Sequence, residues 1–456
     1  MPRTKRVQTY RIRYTRGAHY RGAMTPAAAR PRTSSTGAAR ALRGTRLRGV
    51  DAARGIALLG MIATHIMALT RVSETPEGFS VEPTWVGLLF AGKSSALFAV
   101  VAGVGLALMT STRGAPERAG RPHRGPRLAW DRRYVAVRAV LLAVVGMACG
   151  LLEMNVAVIL VHYALLFLCA LPFLGLGVRA LAGWTVGWVL LSPVLAGLIA
   201  VGMRSAVGAE EYTQGWRLWS NPTFTDLLSQ PALLVWDVLL TGYYPVLQWV
   251  GYVLFGLSLG RLPLGRWATG LALAVGGAVV AAGAFGLSWM LLAQEGVRAE
   301  LAERTGVAED QLDAQLLTGS HLSAEAVQGE PLWFMIAAPH TGTPLDMLLT
   351  CGTSALVLGV CLLVVRALDA VPGGLLSWVS LPLVGAGSLP LTLYVGHLVA
   401  LDVFEELTSD WPRSSLTIVH WTACLVVGAL VRGLGRRGPL EWVLGQAAST
   451  LAGPRP

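Results

Sequence analysis

The sequence predicts an all-α fold, a polytopic bundle of about ten transmembrane helices with both termini cytoplasmic. Two compositional facts and one pattern lead there. Of 456 residues, 54% are hydrophobic and only 14% charged, whereas soluble domains carry roughly 25% charge, and the mean hydropathy is +0.55. The pattern is a series of apolar runs, each near the roughly 20 residues a helix needs to cross a hydrocarbon core, separated by loops whose charge changes sign.

The runs fall at about 55–70, 85–110, 136–152, 156–176, 180–202, 243–262, 268–292, 346–366, 380–404 and 414–434. The stretch from Ala136 to Leu176 divides near Glu153 and Asn155, because one helix of that length would be about twice what a bilayer holds. Residues 1–50 carry thirteen Lys and Arg and no acid, and residues 113–138 carry eight Arg against Glu117 and Asp131. Both segments read as cytoplasmic by the positive-inside rule. Residues 293–345 hold eight acids against Arg298 and Arg304, and the first short loop has Glu74, Glu77 and Glu82, so these are expected outside. An even number of spans then returns the chain to the side on which it began. Residues 203–242, with Trp216, Trp219 and Trp236, read as an amphipathic hairpin at the interface. With 293–345 they are long enough to cover an outward-facing site.

Three regions follow: a basic tail over 1–45, a transmembrane domain over 46–445 and a short cytoplasmic tail over 446–456. The net charge of +11 belongs to the tail. Thirteen positive charges precede residue 51, and the other 24 Lys and Arg against 26 acids leave −2. A tail of Arg, Ala, Thr and Gly without apolar period is expected to be disordered and to touch at most anionic lipid, so no nucleic-acid partner is expected. No secretory core precedes Gly55, which argues against a cleaved signal; a start codon further downstream is the alternative. Cys149, Cys169, Cys351, Cys361 and Cys424 all lie in apolar runs without CxxC spacing, and neither a disulfide framework nor a metal site is expected. Internal repeats are not evident.

The chemistry-bearing residues start in the first run, Val50-Asp51-Ala52-Ala53-Arg54-Gly55, which leads to His65. Charge inside a membrane helix is costly and points to function. Eleven residues are about three turns, so Arg54 and His65 share one face roughly 16 Å apart, near the aqueous mouth and near the midplane respectively. Asp51 can cap the first turn and pair with the guanidinium. His162 beside Tyr163, His340 with Thr341 and Thr343, and His397 one turn after Tyr394 are placed to approach an outward cavity reaching His65. A lone membrane histidine often only bonds a neighbouring helix, and that structural role is expected for His420, beside Trp421. His19, His123 and His321 are expected to be solvated. Lys93, ahead of Ser94 and Ser95, either snorkels or lines the cavity.

The run from Leu47 to Met61 resembles the opening helix of membrane acyltransferases, in particular bacterial relatives of heparan-α-glucosaminide N-acetyltransferase, including YeiB-type proteins. Ser94-Ser95-Ala96-Leu97-Phe98, His340-Thr341-Gly342-Thr343-Pro344, Leu391-Thr392-Leu393-Tyr394 and Gly438-Pro439-Leu440-Glu441-Trp442 resemble that group's other landmarks, over about 46–445. The Arg54-x10-His65 spacing is also similar to the signature of membrane O-acyltransferases that decorate bacterial glycans. In the lysosomal enzyme and many YeiB-type relatives the position eleven after the arginine holds Asn, and the histidine follows in the next loop. Here residues 71–84 hold no histidine, so the resemblance implies His65 for the catalytic role.

What the resemblance implies is acyl transfer, O- or N-linked, from cytoplasmic acyl-CoA, as acetyl-CoA, to a glycan or lipid-linked sugar at the outer face of the cell membrane. Arg54, with Lys93, Ser94 and Ser95, would hold the donor, and Asp51 would hold Arg54. Neutral His65 would act as general base or take the acyl group. His162, Tyr163, His340, Tyr394 and His397 would bind the acceptor, and Thr341 and Thr343 would steady the oxyanion. Two other classes fit the composition: a transporter or flippase with no covalent step, which would need no CoA, and a membrane scaffold, which would tolerate loss of His65.

Overall fold

The structure, a computed structural model, describes residues 47–76, 78–112, 118–320, 322, 324–374 and 376–456. The basic tail 1–45 with His19, and Glu77, Arg113, Glu117 and His321, lie outside the described residues.

Each of the ten apolar runs folds as helix. The long ones are α1 (Arg48–Ile66), α2 (Lys93–Met109), α3 (Gly125–Cys149), α4 (Leu160–Ala170), α5 (Val178–Val207), α6 (Val246–Gly260), α7 (Trp267–Leu292), α8 (Pro344–Ala370), α9 (Pro390–Val403) and α10 (Arg413–Gly433), followed by α11 (Pro439–Leu451). Length and apolarity alone qualify five segments as membrane spans among the described residues: Trp85–Met109, α5, α7, α8 and α10. A sixth is added if Pro231–Thr241 and α6, bent by 54°, count as one. The remaining runs miss that standard for visible reasons. The first carries Arg48, Asp51 and Arg54, α3 carries five charged residues, and α4 and α9 are short.

The first helix is the buried centre of the bundle. It begins at Arg48, seven residues before the apolar run, and its three glycines explain how neighbours close on it. A Cβ at Gly49 would stand 2.7 Å from the Leu362 backbone of α8, one at Gly55 2.5 Å from the Leu383 carbonyl, and one at Gly60 2.1 Å from Ser94 Oγ of α2. Helices α2 and α6 meet equally closely, since a Cβ at Gly256 would lie 2.0 Å from Val100 O and one at Gly103 2.3 Å from Val253 O. Backbones approach this way where small residues line an interface.

Buried cations tie segments together on the side expected to be cytoplasmic. Arg261, 1% exposed, donates to Ala107 O at 2.8 Å, to Leu174 O at 2.6 Å and to Thr110 Oγ1 at 3.2 Å. Arg48 pairs with Asp369 and donates to Ser377 O at 2.7 Å. Carbonyls at helix ends need such donors.

The opposite side carries structure that the hydropathy runs do not reveal. Thr70–Thr75 and Gly78–Pro83 form an antiparallel hairpin with Thr70 opposite Pro83, which packs on the helix Leu312–Thr318. Residues 293–343 fold as short helices around their own core of Leu292, Leu301, Leu312, Leu316, Trp333 and Ile336. The segment after α5 is a chain of short helices, Ala209–Gln214, Phe224–Ser229 and Pro231–Trp236, ending in a π turn at Asp237–Thr241.

Candidate active site

The helix boundaries reset the depth of the first motif. Because α1 starts at Arg48 and stops at Ile66, Arg54 lies in its second turn and His65 in its last. The pair keeps its shared face, and the imidazole moves toward the C-terminal end of the helix.

Arg54 is fixed by three acceptors on three segments: Asp51 Oδ1 at 3.0 Å, Gly387 O at 3.2 Å and Val101 O at 3.3 Å. The turn at Gly387 sits so close to α1 that a Cβ there would fall 1.7 Å from Asp51 O. Glycine is required at that contact, and it brings the following residues, Ser388 to Tyr394, against the arginine.

A cavity of about 320 Å³ opens beside Arg54. Its polar rim is Arg54, Arg138, Arg437 and Glu441, and its deeper wall is apolar and aromatic, with Phe98, Phe167, Tyr163 and Tyr394. The Tyr163 hydroxyl is buried there without a protein hydrogen-bond partner among the described residues. Glu441 has a second duty. Its carboxylate accepts from Leu391 N at 2.7 Å, from Thr392 N at 3.1 Å and from Thr392 Oγ1, which caps the start of α9 with an anion, the charge a helix N-terminus favours. The two landmarks 391–394 and 438–442 therefore form one unit.

Helix α9 carries Tyr394 and His397 inward, both nearly sealed from solvent at 1% and 3% exposure. Tyr394 closes the deep end of the cavity, and its ring centroid is 6.1 Å from that of His65 in an edge contact. His65 itself lies behind this wall. Its Nδ1 meets His397 Nε2 at 3.2 Å, and His397 Nδ1 meets His420 Nδ1 at 2.9 Å. Three imidazoles from α1, α9 and α10 thus stand in a row. His420, assigned a packing role on sequence grounds, is part of it, and no local signal around His420 marks the contact.

The other residues singled out from sequence are placed elsewhere. His162 and His340 flank the Tyr244 ring at 5.5 and 5.7 Å, and His340 lies parallel to Trp249 on a backbone with φ of 64°, unusual for a residue other than glycine. The Thr341 hydroxyl donates to Ala338 O at 2.7 Å. Thr343 donates to Ile336 O and caps α8 by accepting from Asp346 N at 3.0 Å, so both hydroxyl protons go to backbone carbonyls. Lys93 begins α2 at the end remote from the Arg54 cavity and donates to Leu88 O at 2.9 Å. Ser94 packs on Gly60, and Ser95 Oγ donates to Gly92 O at 3.0 Å. His123, expected to be solvated, pairs with Asp131 at 2.6 Å. Among the described residues no group of three His, Cys, Asp or Glu is arranged to hold a metal, and the five cysteines are unpaired.

Apolar helices of membrane-spanning length enclosing an arginine-rimmed cavity define a membrane protein, and the family it matches makes it one of the transferase type. The chain belongs to the family described as heparan-α-glucosaminide N-acetyltransferase, catalytic: residues 46–287, more than half of its 456, match that family. No curated protein matches the chain.

Proposed function

We propose that the protein is an integral membrane acyltransferase that moves an acetyl group from cytoplasmic acetyl-CoA to a glycan or lipid-linked sugar at the outer face, using His65. The proposal takes the bundle as ten spans with both termini cytoplasmic. One observation carries it: a single side chain, Tyr394, is both the deep wall of the arginine-rimmed cavity and a ring contact of His65. Guanidinium groups suit phosphate through their planar fork, and the three arginines outnumber the one carboxylate on the rim. The apolar, aromatic depth suits the thioester arm, and the Tyr163 hydroxyl offers that arm a donor. Asp51 and the Gly387 carbonyl orient Arg54.

His65 commits Nδ1 to His397, which leaves Nε2 as the nitrogen that meets substrate. As general base it takes the acceptor's O–H or N–H proton while the new bond forms at the thioester carbon and the C–S bond breaks, a role worth about 10²–10⁴ in rate. The assay uses full-length protein in lipid nanodiscs with labelled acetyl-CoA and glucosamine as probe acceptor. His65→Ala is expected to abolish transfer while acetyl-CoA still binds and the protein stays inserted. Normal turnover in that variant would reject the assignment.

A further inference from the structure

Buried histidines that merely pack have no need to align nitrogen to nitrogen across three helices. His397 uses both ring nitrogens, toward His65 at 3.2 Å and toward His420 at 2.9 Å. The His65 and His397 ring planes are parallel within 14° with centroids 5.4 Å apart, too far for face-to-face contact, so the rings meet through their nitrogen edges. A neutral imidazole has one N–H and one lone pair. It follows that His397 donates one of these bonds and accepts the other, and that the tautomers of all three rings are coupled.

Only two neutral arrangements satisfy both bonds. In one, His65 Nδ1–H donates to His397 Nε2, His397 Nδ1–H donates to His420 Nδ1, and His65 Nε2 carries a lone pair ready to take a proton. In the other every bond is reversed, and His65 Nε2 carries a hydrogen ready to give one. The middle ring of the row, His397, is sealed, and the end rings, His65 and His420, are each half-buried. An imidazolium is costly in a sealed site and less so where water reaches it.

We propose that His65, His397 and His420 form a proton conduit, in which His397 and His420 pass a positive charge out to water while His65 holds the acceptor's proton and return it when the thiolate leaves. The inference rests on the acyl-transfer reading. As the acceptor's O–H or N–H bond breaks, its proton joins His65 Nε2, the Nδ1 proton passes to His397 Nε2, the His397 Nδ1 proton passes to His420, and His420 releases its Nε2 proton to water. The row is then in its second arrangement. The departing thiolate takes the proton from His65 Nε2, each bond flips back, and His420 recovers a proton from water. The sum is one proton from acceptor to sulfur, with no charge left in the interior. Among the described residues, the ionisable groups in contact with the row are these three imidazoles and the Tyr394 phenol, and no carboxylate is needed to hold the charge. His397 and His420 act through His65 and are positioning residues.

The test uses full-length protein in nanodiscs with acetyl-CoA and glucosamine. His420→Ala should lower kcat about tenfold or more at unchanged KM for acetyl-CoA, and millimolar imidazole should restore part of it. The ring-sized His420→Phe should be equally slow and resist rescue. Wild-type kcat in both variants, or slowing that imidazole does not relieve in His420→Ala, overturns the conduit. A second readout is independent of turnover: in ¹⁵N-histidine spectra His420→Phe should shift the His65 ring nitrogens, because it uncouples the tautomers, and unmoved signals overturn the proposal. Coupled signals in a wild-type protein that transfers no acetyl group would leave the row standing and reject the acyl-transfer reading instead.

Discussion

The Glu441 carboxylate is the most informative single perturbation, because it joins the C-terminal helix to the helix that delivers Tyr394 and His397. Leu391 N–H and Thr392 N–H, at 2.7 and 3.1 Å from Glu441 Oε1, are first-turn amides without helical partners. A charged acceptor on such groups contributes about 1.5 kcal/mol per bond at the low end, and the site borders a cavity that water can enter, so Glu441→Ala should cost about 2–3 kcal/mol. At about 1.4 kcal/mol per tenfold, the docked population of α9 relative to displaced states falls by a factor of about 30–150. Glu441→Gln keeps a carbonyl oxygen and loses the charge at the helix terminus, about 0.5–1 kcal/mol. Thermal unfolding in micelles, with kcat measured on the same samples, separates the two. For a chain this large about 2–4 °C per kcal/mol is expected, so Glu441→Ala should melt about 4–12 °C lower and Glu441→Gln less than half as far. Transfer should fall in the same order as His397 loses its bond to His65. An alanine variant as stable and active as the parent would refute the capping argument, and a glutamine variant as damaged as alanine would refute the division between bonds and charge.

Two further outcomes are expected. Gly256→Ala drives a methyl into Val100 O at the α2–α6 contact and should destabilise by about 1–3 kcal/mol, whereas Gly276→Ala, where a Cβ meets nothing within 4 Å, should be neutral or gain up to about 1 kcal/mol from helix propensity; equal melting of the two variants would contradict the close approach. Arg54→Lys replaces a fork that bonds Asp51, Gly387 O and Val101 O with a point charge, and acetyl-CoA binding by calorimetry should weaken about tenfold, an unchanged affinity counting against the donor role of the cavity.

The helices were legible because the apolar runs are long and the breaks chemical: Glu153 and Asn155 lie in the break between α3 and α4. What hydropathy misplaced is the start of the first one. The apolar run alone starts at Gly55, yet Arg48 finds Asp369 and Ser377 O, and Arg54 finds Asp51 and two carbonyls, so the polar turn before it is helical and buried. His65 falls in the last turn of α1 because the helix also stops early, at Ile66, before the apolar run ends. The hairpin 70–83 was hidden for a different reason. It lies among charged and exposed residues, with no run of apolar alternation, and its pairing is fixed by the helical layer on which it packs.

The site residues divide along the same physical line. Local constellations could be read from spacing: Asp51 with Arg54 is an i, i+3 pair, and Tyr394 with His397 is one turn of one face. Contacts made across the bundle could not, because nothing within a helix reports which imidazole of another helix its own will meet. His65 and His397 are 332 positions apart, and His397 and His420 are 23. Both partners resemble lone membrane histidines, and the same appearance covers His162 and His340, which the fold sends to Tyr244. What distinguishes the row from that aromatic cluster is the way the nitrogens face each other. Burial could have been inferred from hydropathy for all of them, whereas nitrogen-to-nitrogen alignment exists only once α9 has been anchored by Glu441 from beyond the last span. A residue fifty positions downstream thereby sets whether the histidine of α9 can reach the histidine of α1, and the tilt of one capped helix decides the chemistry available at the other.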